Sequence, residues 1–215
     1  MCIVCSIALT IAAVGLKPLQ AKNELIDRQK NILLALNLID RKTKYTPDTI
    51  QETYNNNVNA QFINTQGAIT SSETELPIFI VENNQSIQTY AIPFKAYGLW
   101  SWVYGYIALE GDGATIAGLT VYKHGETPGL GAECEKEWFQ KQFIGKKITD
   151  SNGKFISIGI AKGKVADLNL SQEALKSNVD GMSGATITSK GIEKYLKLEL
   201  AKYESFSKLL RQQEG

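Results

Sequence analysis

Apolar residues fill the first part of the chain, where residues 1–16 include no charged side chain. As a helix, this run reaches about 24 Å, which is less than the roughly 30 Å hydrocarbon layer of a bilayer. Three interpretations are open: a cleaved signal peptide, a buried core helix, and the end of a transmembrane helix whose beginning is absent. The abrupt start and the Lys17-Pro18 pair favour the last, since no Lys or Arg opens the run as in a signal peptide. We therefore predict a membrane anchor over residues 1–17, truncated at its start.

A second apolar pattern covers residues 18–38 and has a helical period. Pro18 suits the first turn of a helix. The side chains at helical spacing are Leu25, Gln29, Ile32, Leu33 and Leu36. The pattern predicts an amphipathic helix that connects the anchor to a folded domain over residues 39–215.

Alternating apolar residues in the middle of the chain predict β-strands. Residues 76–81 and 86–92 are typical of two strands joined by an Asn-Asn turn. Residues 99–110 and 114–123 are typical of a hairpin, because an Asp-Gly pair separates them. Another strand is predicted over residues 155–161, so the middle of the chain is expected to form a sheet.

Helices and loops are predicted around these strands. Residues 40–75 are polar, and only a short helix near residues 47–55 is predicted there among loops. Residues 163–182 are predicted to be irregular. Residues 189–211 have apolar side chains at helical spacing, namely Ile192, Leu196, Leu200, Tyr203, Phe206 and Leu210. Strands in the middle and helices at both ends predict an α+β fold, with a mixed or antiparallel sheet and flanking helices.

The charge balance and the cysteine content narrow the classes of function. Lys and Arg total 23 against 22 Asp and Glu, so the chain lacks a basic footprint and we predict no nucleic-acid partner. A hydrophobic fraction of 43% excludes general disorder. Cys2 and Cys5 form a C-x-x-C pair inside the apolar run, where two small membrane-compatible residues are favoured over a zinc or redox site. Cys134 is interpreted as a lone thiol, and no metal site is predicted.

A polar turn rich in small residues precedes the last helix. It reads Asp-Gly-Met-Ser-Gly-Ala-Thr over residues 180–186. Its glycines permit unusual dihedral angles and the close approach of another group. The start of the following helix presents free N–H groups and the positive end of the helix dipole, which suits a phosphate. On the residues alone, an ordinary helix cap without a ligand is the other interpretation.

This turn resembles the Asp-x-x-Ser-Gly-Ala-Thr pattern that is recognised by bacterial flavin transferases, enzymes that attach FMN from FAD to the final threonine of the pattern. Residues 125–131, Gly-Glu-Thr-Pro-Gly-Leu-Gly, resemble a flavin-facing loop of a family that carries this pattern. Gly-Leu-Trp-Ser at 98–101 and Gly-Lys-Lys at 145–147 stand in the expected order. Over nearly its whole length, the chain resembles the C subunit of the sodium-translocating NADH:quinone oxidoreductase.

The resemblance implies an FMN that is esterified through its phosphate to Thr186. It also implies that Ser183 and Thr188 hydrogen-bond the bridging phosphate, and that Gly184 and Ala185 belong to the same attachment site. The transferase, rather than a low pKa of the threonine, would activate the hydroxyl.

Other parts of the flavin site follow from the same resemblance. Lys162 matches a family lysine near the flavin, with a solvated loop lysine as the alternative. Trp100 would either stack on the flavin or lie in an ordinary aromatic core. The loop against the isoalloxazine would contribute Glu126, Thr127, Gly129, Leu130 and Gly131, with an ordinary tight turn as the alternative. No catalytic residue is assigned, because single-electron transfer needs no proton acceptor.

The family implies an electron carrier that relays single electrons through FMN. Within the family's complex, NADH is oxidised on another subunit, and electrons pass through several carriers to quinone while sodium is transported. The expected partners are the other subunits, a flavin transferase during maturation, and the membrane. The family places the flavin domain on the periplasmic side of a bacterial inner membrane, on a single-pass anchor. The basic flank after the anchor, Lys17, Lys22, Arg28 and Lys30, would by itself favour the cytoplasm.

Two alternatives remain open. The G subunit of the related Rnf electron-transport complex shares the anchor, the Thr-Pro-Gly-Leu-Gly loop and the attachment pattern. Residues 98–101 and 125–127 favour the sodium pump over the Rnf complex. The other alternative is a non-flavinylated assembly or regulatory module, in which Thr186 stays unmodified.

Overall fold

Six strands form one sheet at the centre of the structure, a computed structural model that describes residues 2–84 and 86–213. They are β1 (Asn59–Ile63), β2 (Ile69–Thr70), β3 (Leu76–Asn83), β4 (Ser86–Tyr97), β5 (Trp102–Glu110) and β6 (Ile116–Lys123). Their order is β2-β1-β3-β4-β5-β6, and all neighbours are antiparallel. Two short parallel strands, β7 (Gly159–Ile160) and β8 (Asn178–Val179), lie outside this sheet.

Helices close both faces of the six-stranded sheet. Those of the described residues are α1 (Cys2–Ala35), α2 (Pro47–Asn57), α3 (Glu137–Lys141), α4 (Gln172–Leu175), α5 (Thr186–Lys202) and α6 (Glu204–Gln213). Short 3₁₀ turns span Gly131–Glu135 and Val165–Asp167. The predicted α+β fold with an antiparallel sheet and flanking helices is confirmed.

The alternation of side chains along each strand produces two apolar cores. On β5, Ile107 and Leu109 join the core under α5 and α6. Tyr106 and Ala108 point to the opposite face and join the core under the end of α1 and under α2. The sheet is therefore buried on both faces, and the candidate site borders the α5 face.

Helix α1 is continuous from Cys2 to Ala35 and includes Pro18. The middle residues of α1 are exposed, whereas its end packs against the sheet, where Leu33 is fully buried. None of the described helices is long and apolar enough to cross a membrane. Met1, the first residue of the predicted anchor, lies outside the described residues.

The predicted connecting helix over residues 18–38 is the second part of α1, and the predicted end was too late. Asn37 has a left-handed φ of 57°, which suits the residue after a helix. Leu38 donates its N–H to the carbonyl of Leu33 at 2.9 Å, and this bond closes the helix end. The Asn37 side chain then donates to the Ala117 carbonyl at 2.7 Å, which ties the end of α1 to β6.

Several predicted strand bounds were wrong for local reasons. The strand predicted from residue 99 begins at Trp102, because the N–H groups of residues 99–101 donate to the Glu126 carboxylate instead of a neighbouring strand. The strand predicted from residue 114 begins at Ile116, because Asp112 accepts the N–H groups of residues 114 and 115. The strands β1 and β2, which fall in the polar stretch 40–75, were not predicted.

The strand predicted over residues 155–161 is reduced to β7. Ser157 has a φ of 69°, which a continuous strand cannot accommodate. The N–H groups of Ile156 and Ser157 both donate to the carbonyl of Ile148, at 2.8 and 2.9 Å. The chain therefore turns here and regains a strand only at Gly159.

The predicted last helix over residues 189–211 is two helices. Helix α5 begins three positions earlier, at Thr186, and ends before Tyr203, whose φ and ψ are −97° and 0°. Tyr203 is itself buried and donates its hydroxyl to the Pro77 carbonyl at 2.8 Å. The break lets α6 place Phe206 edge-on against Tyr90, with ring centroids 5.2 Å apart.

Candidate functional site

Thr186 is the first residue of α5, and its side chain is half-buried. Gly184 has a φ of 70°, which forms the turn into the helix. Met182 is buried and donates its N–H to the Ser189 hydroxyl at 3.1 Å. The first turn of a helix presents N–H groups without intrahelical acceptors. The bond between Met182 and Ser189 therefore fixes the turn to the helix. The Thr186 hydroxyl lies at the positively polarised start of that helix.

A cavity of about 290 Å³ opens at this helix start. Three segments that are distant in sequence line it: residues 99–100, 126–131 and 184–188. The lining residues are Leu99, Trp100, Glu126, Thr127, Leu130, Gly131, Gly184, Ala185, Thr186, Ile187 and Thr188. Most residues that the sequence assigned to the flavin site therefore meet at one place.

The floor of the cavity includes a buried carboxylate, that of Glu126. Its two oxygens accept the N–H groups of Leu99, Trp100 and Ser101 at 3.2, 2.9 and 3.0 Å. The Thr188 hydroxyl donates to the same carboxylate at 2.6 Å. Burial raises the pKa of Glu126, but the Thr188 and backbone donors outweigh it and hold the pKa below its usual range. Glu126 is therefore ionised at neutral pH.

The 125–131 loop is a turn whose backbone is closed on itself. The carbonyl of Thr127 accepts the N–H groups of Leu130 and Ala132, both at 3.1 Å. Gly129 has a φ of 73° and is exposed, as is Thr127. Leu130 leans towards Gly184, where an added methyl group would lie 2.8 Å from its Cδ2. The turn thus presents Leu130 to the Thr186 helix start.

Trp100 stands at the rim of the cavity with 67% of its surface exposed. The interpretation of Trp100 as an ordinary core aromatic is therefore wrong. Its neighbour Trp102 packs edge-on between Tyr97 and Tyr195, with centroid distances of 5.1 and 5.6 Å. The strand aromatics differ because β5 begins only at Trp102, after the loop that carries Trp100.

Three of the predicted site residues lie outside the cavity lining. Ser183 and Gly129 are exposed at its margins. Lys162 is exposed beside the backbone at Gly181, a position consistent with the solvated-lysine alternative. Thr188 does line the cavity, but its hydroxyl is bonded to Glu126.

Two lining residues were not among the predicted site residues. Leu99 and Ile187 are 44% and 61% exposed, although both are large and apolar. Each directly adjoins a predicted residue, Trp100 or Thr186. The sequence could have indicated them, because each is a large apolar residue next to a polar turn motif.

The side chains of His124, Cys134 and Asp180 do not line the cavity. His124 accepts the Glu126 N–H at 3.2 Å and contacts Glu135 through its other ring nitrogen at 3.1 Å. Burial raises the pKa of Cys134 to about 12, which keeps it a neutral thiol. Asp180 accepts the N–H of Val165 at 2.7 Å and so fixes the start of the turn.

The residues present fit a phosphorylated flavin. Within residues 2–84 and 86–213, no side chain or backbone group hydrogen-bonds the Thr186 hydroxyl, which leaves its oxygen available for an ester bond. The helix start suits a phosphate. Leu99, Trp100, Leu130 and Ile187 supply the apolar and aromatic surface that a planar ring system requires.

Comparison with known proteins supports this fit. The family model described as "FMN-binding domain" matches residues 98–200, a range that holds all three segments of the cavity. The C subunit of the Na(+)-translocating NADH-quinone reductase from Pseudomonas aeruginosa is 31% identical over 252 aligned positions, covering 100% of this chain and 94% of the relative. The corresponding subunit from Vibrio vulnificus is 33% identical, covering 89% of this chain and 83% of the relative.

A solved structure has the same fold. The crystal structure of the same subunit from Parabacteroides distasonis aligns with a TM-score of 0.76 at 30% identity, covering 89% of this chain and 96% of the crystallised one. Fold, cavity and sequence thus lead to one assignment, which confirms the resemblance seen in the motifs. The chain belongs to the family of C subunits of the Na(+)-translocating NADH-quinone reductases.

Proposed function

We propose that this chain carries FMN covalently on Thr186 and relays single electrons within a sodium-pumping NADH:quinone reductase complex. The observation that supports the attachment is the Thr186 hydroxyl at the start of α5, which has no hydrogen-bond partner among the described residues and lies at the edge of a cavity with an apolar and aromatic lining. In the attachment step, the Oγ1–phosphorus bond forms while the pyrophosphate bond of FAD breaks. The hydroxyl proton is lost and AMP leaves.

Different residues around Thr186 would hold different parts of the cofactor. The N–H groups at the start of α5 would donate to the bridging phosphate, as would the exposed Ser183 hydroxyl in the turn that precedes the helix. Trp100, Leu130 and Ile187 would cover the ring system and exclude water. Thr188, which the sequence assigned to the phosphate, would act through Glu126 instead.

The bound FMN would supply one-electron redox chemistry. Permanent attachment suits that role, because a carrier held by an ester cannot lose its flavin between turnovers. Electrons would arrive from carriers served by NADH oxidation on another subunit and would leave towards quinone. The protein's own part is to hold the ring, orient it and exclude water.

We further propose that the start of α1 anchors the domain to a bacterial inner membrane, with the flavin domain on the periplasmic side. The uncharged run over residues 1–16 supports an anchor, and the family resemblance supports the side. A phosphatase reporter fused after Gly215 should be active outside the cytoplasm. An inactive reporter would favour the orientation indicated by the basic flank.

Mass spectrometry of the intact chain tests the attachment. After co-expression with a flavin transferase, the wild-type chain should gain the mass of one FMN less one water, and denaturing gels should fluoresce. Thr186→Ala should gain nothing and should fold normally. The matched control is Thr53→Ala in α2, on the opposite face of the sheet, which should be flavinylated like the wild type. An unmodified wild-type chain would indicate the non-flavinylated assembly module.

A further inference from the structure

The carboxylate of Glu126 is enclosed so tightly that only glycine fits on two sides of it. A methyl group added to Gly98 would lie 2.6 Å from Glu126 Oε1. A methyl group added to Gly131 would lie 2.5 Å from Oε2 and 2.8 Å from the Thr188 hydroxyl. Real side-chain carbons do not approach other atoms this closely. Gly98 and Gly131 therefore leave the space that the carboxylate fills.

The enclosed carboxylate joins three segments that the sheet brings together. It accepts three consecutive N–H groups from the 98–101 loop and a hydroxyl from the first turns of α5. Consecutive backbone N–H groups of this kind form an anion-binding concavity. All four partners donate, so a protonated acid or an amide would place a donor against a donor. The site requires an ionised side chain.

We propose that Glu126 is the positioning residue of the flavin site, which holds Leu99 and Trp100 over the cavity and keeps a fixed negative charge beneath it. The proposal rests on the proposed function only for the flavin itself. The Trp100 N–H is 2.9 Å from Oε1, so the carboxylate fixes the backbone from which the exposed indole projects. Glu126 exchanges no electron or proton in this role.

The fixed charge has an effect that a merely structural residue would not have. Adding an electron to a nearby acceptor is opposed by a buried negative charge, since the low-dielectric surroundings screen it weakly. Glu126 therefore lowers the reduction potential of a flavin in this cavity. Removing the charge raises that potential, even where the fold is intact.

Amide hydrogen exchange tests the positioning role in protein that carries no flavin. In Glu126→Gln, the amides of residues 99–101 should exchange roughly tenfold faster or more, because charge-assisted hydrogen bonds are lost. The matched control is Glu137→Gln, which removes a charge that pairs with Lys141 and should change these rates by less than about twofold. Unchanged exchange in Glu126→Gln would overturn the positioning role.

Potentiometric titration of the flavinylated protein tests the charge. Glu126→Gln should have a more positive midpoint potential than both the wild type and Glu137→Gln. Thr188→Val should loosen the 98–101 amides while keeping the charge, and Thr188→Ser should restore wild-type exchange. An unshifted potential in Glu126→Gln would overturn the electrostatic part. A wild-type chain without flavin would overturn the proposed function and leave the exchange experiment valid.

Should Glu126→Gln fail to fold, the two Thr188 variants decide the positioning role alone. Thr188→Val retains the shape of the side chain and removes one donor, so it leaves the carboxylate and its three backbone partners in place. Exchange at residues 99–101 that is equal in Thr188→Val and Thr188→Ser would overturn the positioning role, because freeing the carboxylate on its α5 side would then leave the loop unchanged.

Discussion

The two faces of the sheet are closed by helices that approach it equally closely, yet only one face borders the cavity. On the α1 face, a methyl group added to Gly118 of β6 would lie 2.2 Å from the Ala35 carbonyl oxygen. On the α5 face, a methyl group added to Gly191 would lie 2.0 Å from the Tyr97 carbonyl oxygen. Both contacts leave room only for glycine.

The difference lies in the segment that comes next in the chain after each contact. Ala35 is the last residue of α1 and leads to a surface loop. Tyr97 ends β4 and leads directly into the 98–101 loop, whose N–H groups bind Glu126. Packing on the α5 face therefore sets the geometry of the site as well as contributing to stability, whereas packing on the α1 face does not lead into the site.

The sharpest test truncates one fully buried leucine on each face. Leu33 and Leu196 are both 0% exposed, so Leu33→Ala and Leu196→Ala should each lower the free energy of unfolding by about 2–5 kcal/mol. Urea denaturation measures this loss. Under native conditions, only Leu196→Ala should also accelerate amide exchange in the 98–101 loop. Equal acceleration in Leu33→Ala would show that the faces are coupled.

A smaller effect is expected from adding a methyl group at the two close contacts. Gly118→Ala and Gly191→Ala should each cost about 1–3 kcal/mol through overpacking. The loss at Gly191 should be the smaller one, because alanine favours a helix over glycine by about 1 kcal/mol. Only Gly191→Ala should alter the near-UV circular dichroism of the Tyr97–Trp102–Tyr195 cluster. An altered spectrum in Gly118→Ala would contradict the comparison.

The smallest expected effect is the loss of folding stability at acid pH. The folded-state pKa of Glu126 is held below its ordinary value of 4.5 by the Thr188 and backbone donors, against the opposing effect of burial. Its contribution to stability is therefore complete above that value and is lost as the pH falls through the lower folded pKa. Urea midpoints at pH 6, 4 and 3 should fall less steeply in Glu126→Gln than in the wild type. A parallel decline would show that Glu126 does not contribute.

The fold could be predicted from the sequence where one pattern dominated. The hairpin at residues 110–116 follows from Asp-Gly between two apolar runs, and the meander β3 to β6 follows from alternation. β1 was missed because only Ile63 of its five residues is buried, while Asn59 and Ala60 are exposed. Its strand character comes from pairing with β3, which a local pattern does not contain.

The residues of the site could be predicted from sequence motifs, but the hydrogen bonds among them could not. The sequence assigned Thr186 and the 125–131 loop to one flavin site, and the structure brings them to one cavity. The sequence-based prediction paired the Thr188 hydroxyl with the phosphate and assigned Glu126 to the loop against the flavin ring, whereas in the structure the two side chains hydrogen-bond each other. Their mutual hydrogen bond depends on bringing together residues 62 positions apart in the chain, and only the folded sheet does that.

The unbroken helix α1 limits how far the domain can swing. Its 34 residues correspond to a rod of about 51 Å. The Schellman-type end at Asn37 connects this rod directly to β6, with no flexible linker between them. If the first turns are embedded in a bilayer and Thr186 carries FMN, as proposed, the FMN can change its distance to neighbouring carriers only when helix and domain tilt together. The distance to a neighbouring carrier, and not only the difference in reduction potential, then determines which carriers exchange electrons with the FMN.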